Sequence, residues 1–391
     1  MIEFQKALEI VLESASLLDS ESVAIGQSLG RILREDVRAD LDMPPFNKSA
    51  MDGYACRKTD LGSPLDILEV IPAGKIPEKT IGKSQCSKIM TGARVPEGAD
   101  CVIMIEYTCL DERGRVRFDG DKTRTNICFQ GEDVKAGAVV LKTFTKLSPP
   151  DVAVLATFGC TTPLVSKKPR VGILATGDEL VESTQVPEAC SIRNSNSHQL
   201  CAQVLASNAF PAYYGIAKDS DDAIDCKLRQ AMAENDVVLI SGGVSMGDFD
   251  LVPAIMKRNG IEIKFDSIAM KPGKPTHFGV SKEGFCFGLP GNPVSTYIQF
   301  EILVKPFLYK LMGHDYQALN FSAVLAEDIL VRRSDRESWL PVSLSANHQV
   351  VPLEYHGSAH INALGFADGL IVVPIGIEIL PKGTVVNVRH I

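Results

Sequence analysis

The stretch LISGGVSMGDFD, residues 239–250, decides how the rest of the chain is read. It continues an apolar run, DVVLI (236–240), that stops at Ser241-Gly242-Gly243 and is followed by Gly247, Asp248 and Asp250. A short apolar run closed by glycines reads as a fully buried strand. Glycines at its end allow backbone N–H groups to come close to an anion. Carboxylates in the same loop would repel that anion. A phosphorylated ligand that brings a divalent cation satisfies both signs, because Mg²⁺ takes one or two carboxylates together with phosphate oxygens and water.

On either side of this stretch the chain alternates. RVGILAT (170–176), AYYGIAKD (212–219), DVVLISGG (236–243) and FCFGLPG (285–291) have the texture of strands. SNSHQLCAQVLASNA (195–209), DDAIDCKLRQAMAEN (221–235), DLVPAIMKRNG (250–260) and a long segment, 294–313, carry apolar residues at helical spacing. Such alternation predicts a doubly wound, mostly parallel α/β domain, here over residues 168–316, with its ligand beyond the carboxyl ends of the strands. Three strand ends carry polar clusters: Thr176-Gly177-Asp178-Glu179, the glycine loop with Asp250, and Gly291-Asn292-Pro293 with Ser295 in the helix that follows. Each alone also reads as turn and cap chemistry; together at one sheet edge they predict a binding crevice. Lys271 and Lys274 flank a Pro-Gly turn in MKPGKPTHFG (270–279) and are candidates to hold a phosphate.

The flanking sequence has a different texture. Residues 43–139 are rich in Gly, Pro and short apolar runs such as LDILEVI, DCVIMIEY and GAVVLK, which predicts a β-rich domain. SPPDVAVLATFG (148–159) reads as a helix capped by Ser148 with prolines in its first turn. With the amphipathic N-terminal segment it predicts a discontinuous domain, residues 1–42 and 140–167. Residues 317–391 return to short β runs, which predicts a small β barrel.

Composition narrows the function. Forty basic and 48 acidic residues give a net charge of −8, and no basic run suggests a nucleic-acid groove. No apolar stretch approaches a membrane span. The ten cysteines form no CxxC pair and read as small apolar residues in a reducing cytoplasm, and the seven histidines include no HExxH.

Eight strings occur in one order: PPFNKSAMDGYA, MTGARVPEGAD, GEDVKAG, ATGDEL, SGGVSMGDFD, KPGKPTHFG, GLPGNPVS and HGSAHINALGFADGLIVVP. Together they resemble the molybdopterin molybdenumtransferase (MoeA) family, related to the carboxyl-terminal domain of gephyrin, over essentially the whole chain. The resemblance implies four domains, a homodimer whose active site is shared between subunits, and insertion of molybdate into adenylyl-molybdopterin with release of AMP, assisted by Mg²⁺. It places catalytic carboxylates at Glu179, Asp250, Asp52 and Asp133, and metal ligands at Glu179, Asp219 and Asp250. It places substrate-binding positions at Thr91, Gly242, Gly243, Ser245, Lys271, Lys274, Asn292, Ser295, Arg336 and Ser358. Molybdopterin adenylyltransferase, downstream molybdoenzymes and cofactor-maturation proteins are the implied partners. Two positions depart from the family pattern: Leu340-Pro341 follows Trp339 where an arginine is expected, and Ala367-Asp368 stands for alanine-asparagine. An adenylyltransferase-like enzyme and a gephyrin-like scaffold are the competing readings. The adenylyltransferase normally lacks flanking β domains, and the chain has no counterpart of gephyrin's long linker.

Overall fold

The computed structural model describes residues 1–244, 251–331, 335–353 and 357–391. Two compact units contain these residues: one is formed by Met1–Ser22, Gly30–Arg34 and Leu164–Ile391, the other by Val23–Leu29 and Glu35–Pro163.

The larger unit begins with α1 (Phe4–Glu13), whose buried Ala7 and Val11 sit four residues apart and so share one helix face. In the smaller unit, a four-stranded sheet has the order β2-β3-β1-β4, where β1 is Gly53–Cys56, β2 Asp66–Ile71, β3 Gln85–Ile89 and β4 Cys101–Met104. Gly53 is required there: a Cβ would lie 1.9 Å from the Ile103 carbonyl oxygen. Helix α2 (Pro149–Thr157) in the same unit starts as its sequence suggests. Ser148 and Asp151 form a reciprocal capping box, and proline occupies the first turn, where its missing N–H is not needed.

The α/β part of the larger unit contains β5 (Arg170–Thr176), α3 (Asn196–Ala206), β6 (Phe210–Ala217), α4 (Asp221–Glu234), β7 (Val237–Ser241), α5 (Val252–Arg258), β8 (Glu262–Phe265), β9 (Met270–Lys271), β10 (His277–Val280), β11 (Phe285–Leu289) and α6 (Pro293–Gln299). Its sheet has the order β6-β5-β7-β11-β10-β8. The first four strands are parallel, and β10 is antiparallel to both β11 and β8. Strands β7 and β11 are buried along their whole length because helices cover both faces. Helix α4 buries Ile224, Leu228, Ala231 and Met232, one stripe at helical spacing, and carries Asp221 and Asp222 in its first turn, where the helix dipole favours negative charge.

Two segments go beyond their sequence reading. HFGV (277–280), to which the sequence assigned no element, is a strand, β10, held by its pairing with β11. The segment read as one long helix is α6, a π-helical turn (Phe300–Val304) and α7 (Lys305–Leu311). Pro306 has no N–H to offer the Ile302 carbonyl four residues back, so regular α pairing cannot run through it.

The last strands are β12 (Asn320–Val324), β13 (Glu337–Leu344), β14 (Val350–Pro352), β15 (Gly369–Val373) and β16 (Val385–His390). Pairing runs β14-β13-β15-β16-β12. A bridge from Leu325 to Val350 closes the path, which makes a small barrel. Strand β9 joins β13 in parallel and so stitches the α/β part to the barrel. The core under the sheet is aromatic: Phe278 lies 4.8 Å from Phe287 and 5.8 Å from Phe307, ring centre to ring centre.

Phe307→Ala should lower stability by about 3–5 kcal/mol, the range for emptying a buried aromatic site. A fall in the urea midpoint, followed by tryptophan fluorescence of Trp339, would show it; an unchanged midpoint would contradict this account of the core.

Candidate functional site

At the carboxyl ends of β5, β7 and β11 lies a crevice of about 710 Å³. The three strand-end loops form its floor, and close approach of backbones is what holds them together. Gly242 (φ +98°) and Gly243 (φ +63°) fold over the end of β5: a Cβ on Gly242 would lie 2.4 Å from the Thr176 carbonyl oxygen, and one on Gly243 would lie 2.8 Å from Thr176 Oγ1. The Gly242 N–H is donated to the Leu289 carbonyl at 3.1 Å, so this glycine packs the loops and offers no N–H to an anion.

The acidic candidates sit on the next loops. Gly177 has φ +148°, and the Glu179 carboxylate folds back so closely that a Cβ on Gly177 would lie 2.5 Å from it. The Asp178 N–H donates to Asp219 Oδ2 and the Asp219 N–H to Asp178 Oδ1, both at 3.3 Å, which ties the loops after β5 and β6. Glu179 and Asp219 both line the crevice. Asp250 and Ser245 lie outside the described residues.

On the opposite side, Asn292 stands at the N-terminal flank of α6 and lines the crevice, and its Nδ2 donates to Ser358 Oγ at 2.9 Å. The Val294 N–H donates to the Ser358 carbonyl, so the barrel's 357–361 segment is fastened to the crevice rim, where Ala359 and Ile361 also line it. Ser295 is buried in the first turn of α6 and is not one of the lining residues. Lys271 lies on β9, and Lys274 is exposed next to Pro275, which lines the crevice. Neither lysine forms an ion pair among the described residues. Arg336 reaches the start of this turn, with Nη1 3.4 Å from the Met270 carbonyl oxygen.

Asp52, Thr91 and Asp133 belong to the smaller unit. Asp52 Oδ1 accepts the Thr91 N–H at 2.6 Å and the Thr91 hydroxyl at 2.9 Å. These two bonds, the backbone one foremost, hold the Asp52 carboxyl below its ordinary pKa of 3.8. Asp133 donates its N–H to the Met43 carbonyl at 3.0 Å and keeps its side chain exposed. The candidates thus form two sets, one on each unit.

Sequence reading missed Asn196. It lies at the start of a segment read as a helix, and its side chain is turned inward: Nδ2 donates to Ser241 Oγ and to the Gly291 carbonyl, both at 2.7 Å, joining two strand ends under the crevice. The Ser197 N–H in the first turn of that helix is accepted instead by Asn194 Oδ1. No local signal distinguishes an asparagine that caps from one that braces.

The fold defines an α/β protein with a crevice at the carboxyl edge of a doubly wound sheet, a β-rich region before it in the chain and a barrel after it. Three family models match this arrangement in order. They are the MoeA N-terminal region (domain I and II) over residues 2–159, the probable molybdopterin binding domain over 172–310, and the MoeA C-terminal region (domain IV) over 323–391. A molybdopterin molybdenumtransferase of Bacillus subtilis is 35% identical over 387 residues, covering 95% of this chain and 89% of its own. One from Staphylococcus epidermidis is 34% identical over 401 residues, covering 99% and 95%. The crystal structure of a molybdopterin biosynthesis MoeA protein from Pyrococcus horikoshii OT3 superposes with a TM-score of 0.87 at 30% identity, covering 100% of both chains. The chain belongs to the MoeA family.

Thr91→Val removes the hydroxyl donor and keeps the shape, so the Asp52 pKa should rise toward the ordinary carboxylate value. A depressed carboxyl adds stability above its unfolded pKa and loses it as pH falls through the folded one, so the stability lost on substitution should be present at neutral pH and disappear in acid. Carboxyl-carbon NMR titration reads this directly; an Asp52 pKa unmoved by the substitution would refute the role given to the hydroxyl.

Proposed function

We propose that the chain is a molybdopterin molybdenumtransferase: it inserts molybdate into adenylyl-molybdopterin, releasing AMP and molybdenum cofactor. The observation that carries this reading is the crevice itself, lined by Glu179 and Asp219 and bordered by Pro275 of the lysine turn, in a chain similar over nearly its full length to proteins bearing that name. The ligand expected there is anionic at two places, the phosphate anhydride and the oxyanion.

A divalent cation fits the donors present. Among the described residues no cluster of three metal-binding side chains occurs, but Mg²⁺ needs only one or two carboxylates when phosphate and water complete its shell. Glu179 and Asp219 are those carboxylates, with Asp250 the third candidate. When bound, Mg²⁺ would neutralise charge on the phosphate oxygens as AMP leaves. The remaining work belongs to the protein's own groups. Lys271 and Lys274, the phosphate candidates of the sequence, and Arg336 hold the ligand's two anionic groups, phosphate and oxyanion, by charge-assisted hydrogen bonds. Asn292 and Ser358 fix the rim on which the ligand rests. No protein nucleophile is required, because the reaction depends on placement and charge.

We further propose that the active protein is a cytoplasmic homodimer. Asp52, Thr91 and Asp133 of one subunit complete the crevice of the other, and the substrate is supplied by an adenylyltransferase. No helix among the described residues is long and apolar enough to cross a membrane.

Glu179→Gln removes a charge at nearly constant volume. AMP release should fall at least about tenfold, the effect of about 1.4 kcal/mol on the barrier. Unchanged AMP release would remove Glu179 from the chemistry. Mixing Asp52→Asn subunits with Glu179→Gln subunits tests the shared site. In a mixed two-fold dimer one site collects both lesions and the other neither, so random exchange should return about a quarter of the sites to full activity. Proven exchange without recovery, from two inactive parents, would mean that each site is built within one chain.

A further inference from the structure

The turn that carries Lys271 and Lys274 is held from beneath by a fully buried amide. Gln299, the last residue of α6, is 0% exposed. Its Nε2 donates to the Gly273 carbonyl at 3.1 Å and faces Met270 Sδ at 2.9 Å. The Thr276 hydroxyl donates to the same Gly273 oxygen at 2.8 Å. Gly273 has φ +107°, and a Cβ there would lie 2.2 Å from Gln299 Nε2, so the glycine is what lets the amide reach the turn. The Lys274 carbonyl accepts the N–H groups of Ile268 and Thr276, both at 3.0 Å, and Lys271 is fixed by the pairing of β9 with Ser338 on β13. Both ends and the middle of the turn are therefore anchored before any ligand arrives.

The Gln299 arrangement is not the one that stability alone favours. No donor among the described residues reaches Gln299 Oε1, although the atom is buried. A buried acceptor left unpaired costs stability, and an apolar side chain of the same size would avoid that cost. The amide's contribution is geometric. Two like charges on a short turn repel each other and, on a free loop, would spread; an anion binding between them would then have to order the loop as well. The π-helical turn starts immediately after Gln299 and shifts the helix register at that point, a feature frequent near functional sites.

We propose that Gln299 is a positioning residue for oxyanion binding: by fixing the Gly273 carbonyl it sets the spacing of Lys271 and Lys274 that receives the anion. This inference rests on the reading that those lysines hold the oxyanion, and the test separates the two. Molybdate is titrated by calorimetry into wild type, Gln299→Met, Lys274→Gln and the double variant, and Tm is recorded for each. Gln299→Met should weaken molybdate binding at least about fivefold while leaving Tm unchanged or higher, because it removes an unpaired buried oxygen. In the Lys274→Gln background the same substitution should add almost nothing, since the residue acts through the lysine turn. Wild-type affinity in Gln299→Met, or losses that multiply in the double variant, would overturn the proposal and leave the lysine reading intact. Wild-type affinity in Lys274→Gln, or no molybdate binding by wild type, would remove the lysine reading and this proposal with it. Should Gln299→Met not fold, Thr276→Val removes the other donor to the same carbonyl and enters the same cycle.

Discussion

The contact on which the rest depends is backbone against backbone at the sheet's carboxyl edge. Gly242 and Gly243 lie so close to Thr176 that neither position has room for a Cβ. Gly291 follows at one remove, with space for a methyl group only 3.7 Å from Gly242 Cα. Three parallel strands can then end in loops that touch one another, leaving a crevice beside them in place of three separate turns. A side chain at either glycine would push the loop after β7 away from β5 and widen the floor. The carboxylates and the rim residues are placed relative to that floor.

Buried amides complete what the glycines begin. Asn196 ties Ser241 to Gly291, and Gln299 ties α6 to Gly273. Each gives its N–H groups to a turn, and each has a buried oxygen that no donor among the described residues reaches. An unpaired buried acceptor costs about 1–3 kcal/mol, a large share of the margin by which a domain is stable. The same economy of rigid placement recurs at Asp52, which is charged and exposed yet held by both hydrogen-bond donors of Thr91. Polar side chains that look interchangeable in sequence thus divide into those that meet solvent or ligand and those that fix the first group in place.

The barrel is less separate from the α/β part than its sequence texture suggests. Strand β9 belongs by position to the α/β region but pairs with β13 of the barrel. Ser358 returns from the barrel to bond Asn292. The lysine turn is consequently anchored in two layers at once, and Arg336 enters next to it along the same strand pairing.

The sequence by itself determined the secondary structure of the buried strands, the capped start of α2, the amphipathic α4 and the order of the domain types. These follow from local periodicity and from the few residues able to begin or end an element. The motifs at the three strand ends were equally legible, because glycine, asparagine and aspartate have restricted roles at such positions. Only the tertiary structure decided that HFGV (277–280) is a strand, that Gly242 packs instead of presenting its N–H, and that Asn196 and Gln299 brace the site. Each of those outcomes depends on a partner distant in sequence: β11 for HFGV, Leu289 for Gly242, Gly291 for Asn196 and Gly273 for Gln299. A hydrogen bond's value is set by the group that accepts it and by the exclusion of water around it, and neither is written in the residues that flank the donor.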